Sequence, residues 1–189
     1  MTEDVRLRRI SDGDWDGIVA LEAGTYGDSE LSEDRAALES RGRVSPDTCF
    51  VLARGRQVVG YALALPYPPF RYPDLSRPEV TACHSRNLHL HDLVVAEKLR
   101  GRGLAKRLLG RLTATAGRRS YERISLVAVG GADTFWSANG FHPHTEVALP
   151  RSYGSDAVYM SRAVPADMPE QTGPANDPLP GSPPEDEVG

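Results

Sequence analysis

Apolar and polar residues alternate over residues 5–10 with a period of two, which predicts a strand. Over 12–23 the period lengthens. Trp15, Ile18, Val19 and Leu21 recur at helical spacing behind Ser11, a residue suited to capping a helix. Residues 31–41 give a second amphipathic helix with several carboxylates. Two β-rich runs, 48–54 and 57–65, join through Gly55 and predict a hairpin. Residues 66–87 hold five of the chain's 15 prolines and read as a long loop, and ordered loops of that length are often functional. A strand is expected over 88–95. Leu104, Ala105, Leu108, Leu109 and Leu112 then fall on one stripe of a helix over 101–117. An apolar strand over 123–129, a short helix over 132–138 stopped at Asn139-Gly140, and strands over 141–149 and 157–164 complete the pattern. With no internal repeat, this order predicts an α/β or α+β, sandwich-like domain with a central sheet of about seven strands and flanking helices.

Composition narrows the setting. A chain of 189 residues is long enough for one substantial core and short for two. Residues 1–10 lack the apolar stretch of a signal peptide, and nothing approaches the roughly 20 apolar residues of a membrane span. A soluble cytoplasmic protein is expected, with no membrane or nucleic-acid partner; a homodimer is compatible with the sequence. Cys49 and Cys83 show no metal-ligand spacing and are expected to be free thiols, and no metal is expected. The net charge of −4 is uneven: residues 164–189 hold seven prolines, six carboxylates and no Lys or Arg, which leaves the rest of the chain at +2. Such a stretch buries too little apolar area to offset its ordering entropy. The folded domain is therefore expected over 1–164, followed by a Pro-rich, acidic, disordered tail over 165–189.

Candidate chemistry begins where strand 88–95 leads into helix 101–117. The first amides of a helix have no intrahelical acceptor and sit at the positive end of its dipole. Gly101 and Gly103 remove side chains that would block a phosphate from them, Ala105 stays small, and Arg100, Arg102 and Lys106 add positive potential. A plain loop, a solvated basic surface and a dinucleotide fold are the other readings of this turn. A nucleotide P-loop would need Gly-Lys-Ser/Thr, and a Rossmann fingerprint would need a third glycine where Lys106 stands.

The run Arg100-Gly-Arg-Gly-Leu-Ala105 resembles the donor signature Gln/Arg-x-x-Gly-x-Gly/Ala of the GNAT superfamily of N-acetyltransferases. Phe135-Trp136 ahead of Gly140-Phe141 resembles its second signature, normally an aromatic-Tyr pair before Gly-Phe. The resemblance implies a mixed, mostly antiparallel sheet and acetyl-CoA as co-substrate. It also implies a pyrophosphate held at Arg100, Gly101, Arg102, Gly103, Leu104, Ala105 and Lys106, and a pantetheine and thioester held along Leu93, Val94 and Val95.

A protonated alkylamine must lose a proton to attack a thioester, and histidine, titrating near about 6.5 when unperturbed, is suited to accept it. His89 and His91 alternate on one strand face ahead of the phosphate turn, and Asp92 is expected on the opposite face. Two packed histidines that satisfy each other, or a poorly spaced zinc site with Cys83 and His84, are the alternatives. His89-Leu-His91-Asp-Leu93 resembles the His-x-His strand of the arylalkylamine (serotonin) N-acetyltransferases, which implies a proton relay through water. Trp136 departs from the family's tyrosine general acid, since an indole N–H does not usefully release a proton. Tyr153 or Tyr159 is expected to substitute, unless the thiolate leaves unprotonated. A backbone N–H within 93–95 is the expected donor to the carbonyl oxygen. Tyr67, Phe70 and Tyr72 in the Pro-rich loop would line an acceptor pocket, or else cover an end of the core. Carboxylates around Glu33 would attract a cation, or else form a solvated face. The acceptor expected is a small-molecule primary amine; a peptide or protein amine, or a non-catalytic acyl-CoA-binding module, is the alternative.

Overall fold

The computed structural model describes residues 4–166, so from position 167 onward the expected acidic tail lies outside the described residues. The strands β1 (Val5–Arg9), β2 (Phe50–Arg54), β3 (Gln57–Pro66), β4 (Asn87–Val95), β5 (Arg123–Ala128), β6 (His142–Pro143) and β7 (Val158–Ala163) form one sheet in the order β1-β2-β3-β4-β5-β7-β6. Every neighbouring pair is antiparallel except β4 and β5. This is the mixed, mostly antiparallel sheet that the sequence predicts.

Alternation along β3 sends successive side chains to opposite faces. Ala62 and Ala64 join Leu88, Leu90, Leu108 and Leu112 in a core beneath α3 (Leu104–Arg118). Tyr61 and Leu63 join Trp15, Ile18 and Leu38 beneath α1 (Trp15–Tyr26) and α2 (Arg35–Val44). Gly42 lets those two helices meet, because a Cβ there would fall 2.7 Å from ring carbons of Trp15. The short α4 (Asp133–Ala138) follows β5.

Three expected elements shift. The helix expected over 31–41 begins at Arg35, because Asp34 is extended and its carboxylate accepts the Ala37 N–H at 2.8 Å, a helix cap. Residues 31–34 are thereby released from the helix toward the sheet. The helix expected from 101 begins at Leu104, because Gly101 and Gly103 have φ of 75° and 76°. The strand expected over 141–149 is short, His142 and Pro143, with the His144 N–H still donating to Tyr159 O at 2.8 Å; the chain then turns, with the Val147 N–H donating to His144 O at 3.2 Å. Among the described residues no helix is long and apolar enough to cross a membrane. Cys49 is buried, Cys83 is half-buried, and both are free.

Candidate active site

The parallel pair β4 and β5 holds together only from Asn87 opposite Arg123 to Leu90 opposite Leu126. Beyond that point β4 follows β3 to Val95 while β5 follows β7 to Ala128, so the strands part. A cavity of about 680 Å³ opens between them. Leu93, Val94, Val95, Arg100 and Ala105 line one wall, and Val127, Val129, Gly130, Phe135 and Trp136 line the other. Val94 O lies over Gly60, and the Ala96 N–H donates to Val59 O at 2.9 Å, so these main-chain groups point to β3. Strand alternation leaves those of Leu93 and Val95 facing the gap. Val95 O accepts the Arg100 Nε–H at 3.1 Å, which ties the phosphate turn to the strand.

At the start of α3 the first ladder bond runs from the Arg107 N–H to Gly103 O at 3.0 Å, and no side chain caps the helix. The amides of Leu104, Ala105 and Lys106 therefore lack intrahelical acceptors at the positive end of the dipole. A Cβ at Gly101 or Gly103 would meet nothing within 4 Å. The glycines are thus required by their left-handed backbone, and the space over them is open to a ligand. Arg100, Arg102 and Lys106 are exposed. Arg102 lies outside the cavity lining, beside Lys98 in a neighbouring hollow of about 640 Å³, and Leu104 is buried in the core. Burial pushes the Cys49 thiol up to about 12, which leaves it without nucleophilic character.

The two histidines have different surroundings. In the β3–β4 ladder Ala64 faces Leu90 and Leu63 faces Asp92, so His91 is an inserted, bulged residue. The bulge overturns the expectation for Asp92: it faces the same side as His89 and His91, with its carboxylate accepting the Tyr26 hydroxyl at 2.7 Å and the Tyr61 hydroxyl at 2.5 Å. His91 lines the cavity, and its Nε2 contacts Glu33 Oε2. His89 does not line it. Its Nδ1 lies 2.9 Å from Ser125 Oγ, and its ring stacks on Tyr159 at 6.2 Å. Burial, helped by the charges of His91 and Arg41, pushes the His89 imidazole down to about 3, so it is neutral at physiological pH.

The loop aromatics lie away from the cavity lining. Tyr67 approaches His89 at 6.1 Å, Phe70 packs on His144 at 5.2 Å, and Tyr72 donates to Ala148 O at 2.7 Å and packs on Tyr153. Phe70 and Tyr72 line a separate hollow of about 370 Å³ with Val147 and Ala148, and Phe70 is exposed. Of the two hydroxyls weighed in place of Trp136, Tyr153 lines the cavity and donates to Pro73 O at 2.7 Å. Tyr159 does not; its oxygen accepts the Phe70 N–H at 2.9 Å. Trp136 packs edge-on against Phe135 and Phe141, anchoring the far wall.

The sequence profile described as the acetyltransferase (GNAT) family matches residues 15–141, from the first residue of α1 to Phe141. The chain belongs to the GNAT acetyltransferase family. Among solved structures it is similar to Ard1 from Thermoplasma volcanium, at 20% identity and a TM-score of 0.66 over 85% of this chain and 97% of that one. It is similar to the GNAT-like decarboxylase GphF in complex with isobutyryl-CoA, at 19% identity and a TM-score of 0.65 over 85% of this chain and 100% of that one. It is also similar to the ribosomal-protein-S18-alanine N-acetyltransferase of Escherichia coli, at 13% identity and a TM-score of 0.62 over 89% and 98% of the two chains. These likenesses show the GNAT fold. No curated protein matched the sequence.

Four polar residues of this GNAT site escaped the sequence reading or were weighed differently there. Tyr26, from the end of α1, lines the cavity; Glu33 lines it from the segment that Asp34 caps off; Glu22 backs Glu33 from α1; and Asp92 is turned in by the bulge. Periodicity carried no signal for the bulge, and Glu33 sat within a run expected to be helical.

Proposed function

We propose that this GNAT protein is an acyl-CoA-dependent N-acetyltransferase that transfers the acetyl group of acetyl-CoA to a primary amine of a small molecule by direct attack. The observation that carries the reading is the gap between β4 and β5, which joins the free amides of α3 at one end to His91 at the other through a single cavity. The residues present fit the donor. The helix amides and the open space over Gly101 and Gly103 suit a pyrophosphate, Arg100 and Lys106 supply charge, and the Leu93–Val95 edge suits the pantetheine amides. The decarboxylase GphF, similar in fold, holds isobutyryl-CoA, which supports an acyl-CoA donor. The thioester supplies an activated carbonyl.

His91 takes the proton as the amine nitrogen bonds to the thioester carbonyl carbon. A single backbone N–H of the Leu93–Val95 edge meets the negative charge that builds on the carbonyl oxygen. The carbon–sulfur bond then breaks and the sulfur leaves as a thiolate. Of the two hydroxyls weighed in place of Trp136, Tyr153 is the one that lines the cavity and returns a proton to the sulfur; burial first and nearby Glu33 second keep it protonated beforehand. His89 belongs to this proposal as the buried support of the strand, and the arylalkylamine-like role rests on His91. Leu75 and Tyr153 join Leu31 and Leu90 in the lining of the cavity, and these apolar and aromatic side chains suit a compact acceptor. A peptide acceptor is the second reading, favoured by the likeness to the E. coli enzyme named for a ribosomal-protein alanine.

Free-thiol release from acetyl-CoA across a panel of arylalkylamines, polyamines and peptides tests this. Amine-dependent release with small amines is expected, with His91→Ala lowering turnover by about 10²-fold or more at unchanged acetyl-CoA affinity. Release only with peptides selects the second reading. Binding of acetyl-CoA with no turnover on any amine contradicts the enzyme reading and selects a non-catalytic module.

A further inference from the structure

Glu33 is almost wholly buried, and each of its carboxylate oxygens has a partner: Oε1 accepts Arg41 Nη2–H at 2.7 Å, and Oε2 meets His91 Nε2. Burial works against its charge; a protonated His91 and Arg41 together hold the carboxyl below the usual range, and when His91 is neutral the buried Arg41 guanidinium at 2.7 Å remains as the charge that favours ionised Glu33. An ionised carboxylate only accepts hydrogen bonds, so Nε2 carries the hydrogen. A neutral imidazole then has its lone pair on Nδ1. Nδ1 of His91 is buried and has no hydrogen-bond partner, although the residue lines the cavity. Polar atoms left in that state are uncommon, and one in a cleft marks a place where a ligand's hydrogen belongs.

We propose that Glu33 is the positioning residue for His91: it grips the imidazole at Nε2, fixes the tautomer, and leaves Nδ1 as the atom that receives the amine proton. The inference rests on the reading of His91 as the base. Its step balances simply. The ammonium proton moves to Nδ1, the ring becomes an imidazolium with Nε2–H still on Glu33, and the freed nitrogen lone pair forms the bond to carbon.

Glu33 is itself held from two helices. Glu22 on α1 accepts the Glu33 N–H at 2.7 Å and the Ser32 hydroxyl at 3.0 Å. Arg41 on α2, fully buried, also donates to Glu79 at 2.6 Å and to Asp74 O at 2.9 Å in the Pro-rich loop. The charges and titratable groups around His91 are therefore Glu33 before α2, Arg41 on α2, Glu22 and Tyr26 on α1, Asp92 and His89 on β4, and Tyr153 before β7. Glu33 is the one in contact with the ring, and Arg41 tempers its charge. A carboxylate that only cross-linked α2 to the loop would leave the tautomer and the pH profile of the reaction untouched.

The test has two arms. Long-range ¹H–¹⁵N NMR of the wild-type protein, without substrate, is expected to show His91 as the Nε2–H tautomer with an unprotonated Nδ1. Observation of the Nδ1–H tautomer overturns the proposal whatever the activity. In the second arm Glu33→Gln keeps shape and an acceptor oxygen but removes charge. It is expected to lower turnover at least about tenfold and move the acidic limb of the kcat/KM profile to lower pH, with the KM for acetyl-CoA unchanged. A folded Glu33→Gln protein with the wild-type profile also overturns it. If that variant does not fold, the wild-type tautomer decides. Unchanged turnover in His91→Ala would instead remove the base reading itself, which separates the two failures.

Discussion

Two histidines two residues apart on one strand meet different surroundings, and the proposal gives them different roles for that reason. His89 is enclosed by Ser125, Tyr159 and Tyr67, whereas His91 opens on the cavity with a carboxylate behind it. The pair was visible in the sequence; the division of labour was not, since it depends on Ser125 from β5 and Glu33 from the loop before α2. A measurable consequence attaches to His89. Its imidazole titrates at about 3 when folded, against 6.5 in an unperturbed side chain, so between those values the unfolded chain binds the extra proton. The contribution of His89 to stability is therefore level above about pH 6.5 and falls as pH drops toward 3, by about 1.4 kcal/mol per unit inside the window. His89→Asn, which keeps a partner for Ser125, is expected to flatten this part of the urea-midpoint profile between pH 7 and 4.5. An identical slope in the variant would place the titrating group elsewhere.

At the scale of elements the chain was most legible where periodicity was strong. The α3 stripe from Leu104 to Leu112 and the β2–β3 hairpin stand where they were expected. The departures follow from local competition. Asp34 takes over as a helix cap and shortens α2, the turn after His144 ends β6, and the His91 bulge reverses the side of Asp92. None of these leaves a mark on hydrophobic period, yet the first and third build the polar end of the cavity. The contact of α1 with α2, on which Glu22 and Arg41 depend, has its own test at Gly42. Alanine there would gain about 1 kcal/mol of helix propensity. The rigid Trp15 ring 2.7 Å from the new Cβ outweighs that gain, because overpacking a core costs about 1–3 kcal/mol. Gly42→Ala is thus expected to lower the thermal midpoint, and a raised midpoint would show that the helices separate freely.

Across the whole molecule the site exists because a sheet comes apart. β4 and β5 run parallel for four residue pairs and then follow different partners, so a strand edge and a helix amino terminus face one space. The family's motifs pointed to the turn at Arg100–Ala105; the gap's acidic, tyrosine-lined end comes only from bringing together α1, the segment before α2, and β4. We also propose that the catalytic unit ends near Val164, whose N–H donates to Glu122 O at 2.9 Å beside the end of β7. The central claim is that this gap holds the donor. Titration of ¹⁵N-labelled protein with coenzyme A, followed by amide NMR, tests it most directly. The amides of Leu93, Val95, Leu104, Ala105 and Lys106 are expected to shift most and together; shifts confined to residues outside the gap, such as those around Ala20 and Gln57, would contradict the account.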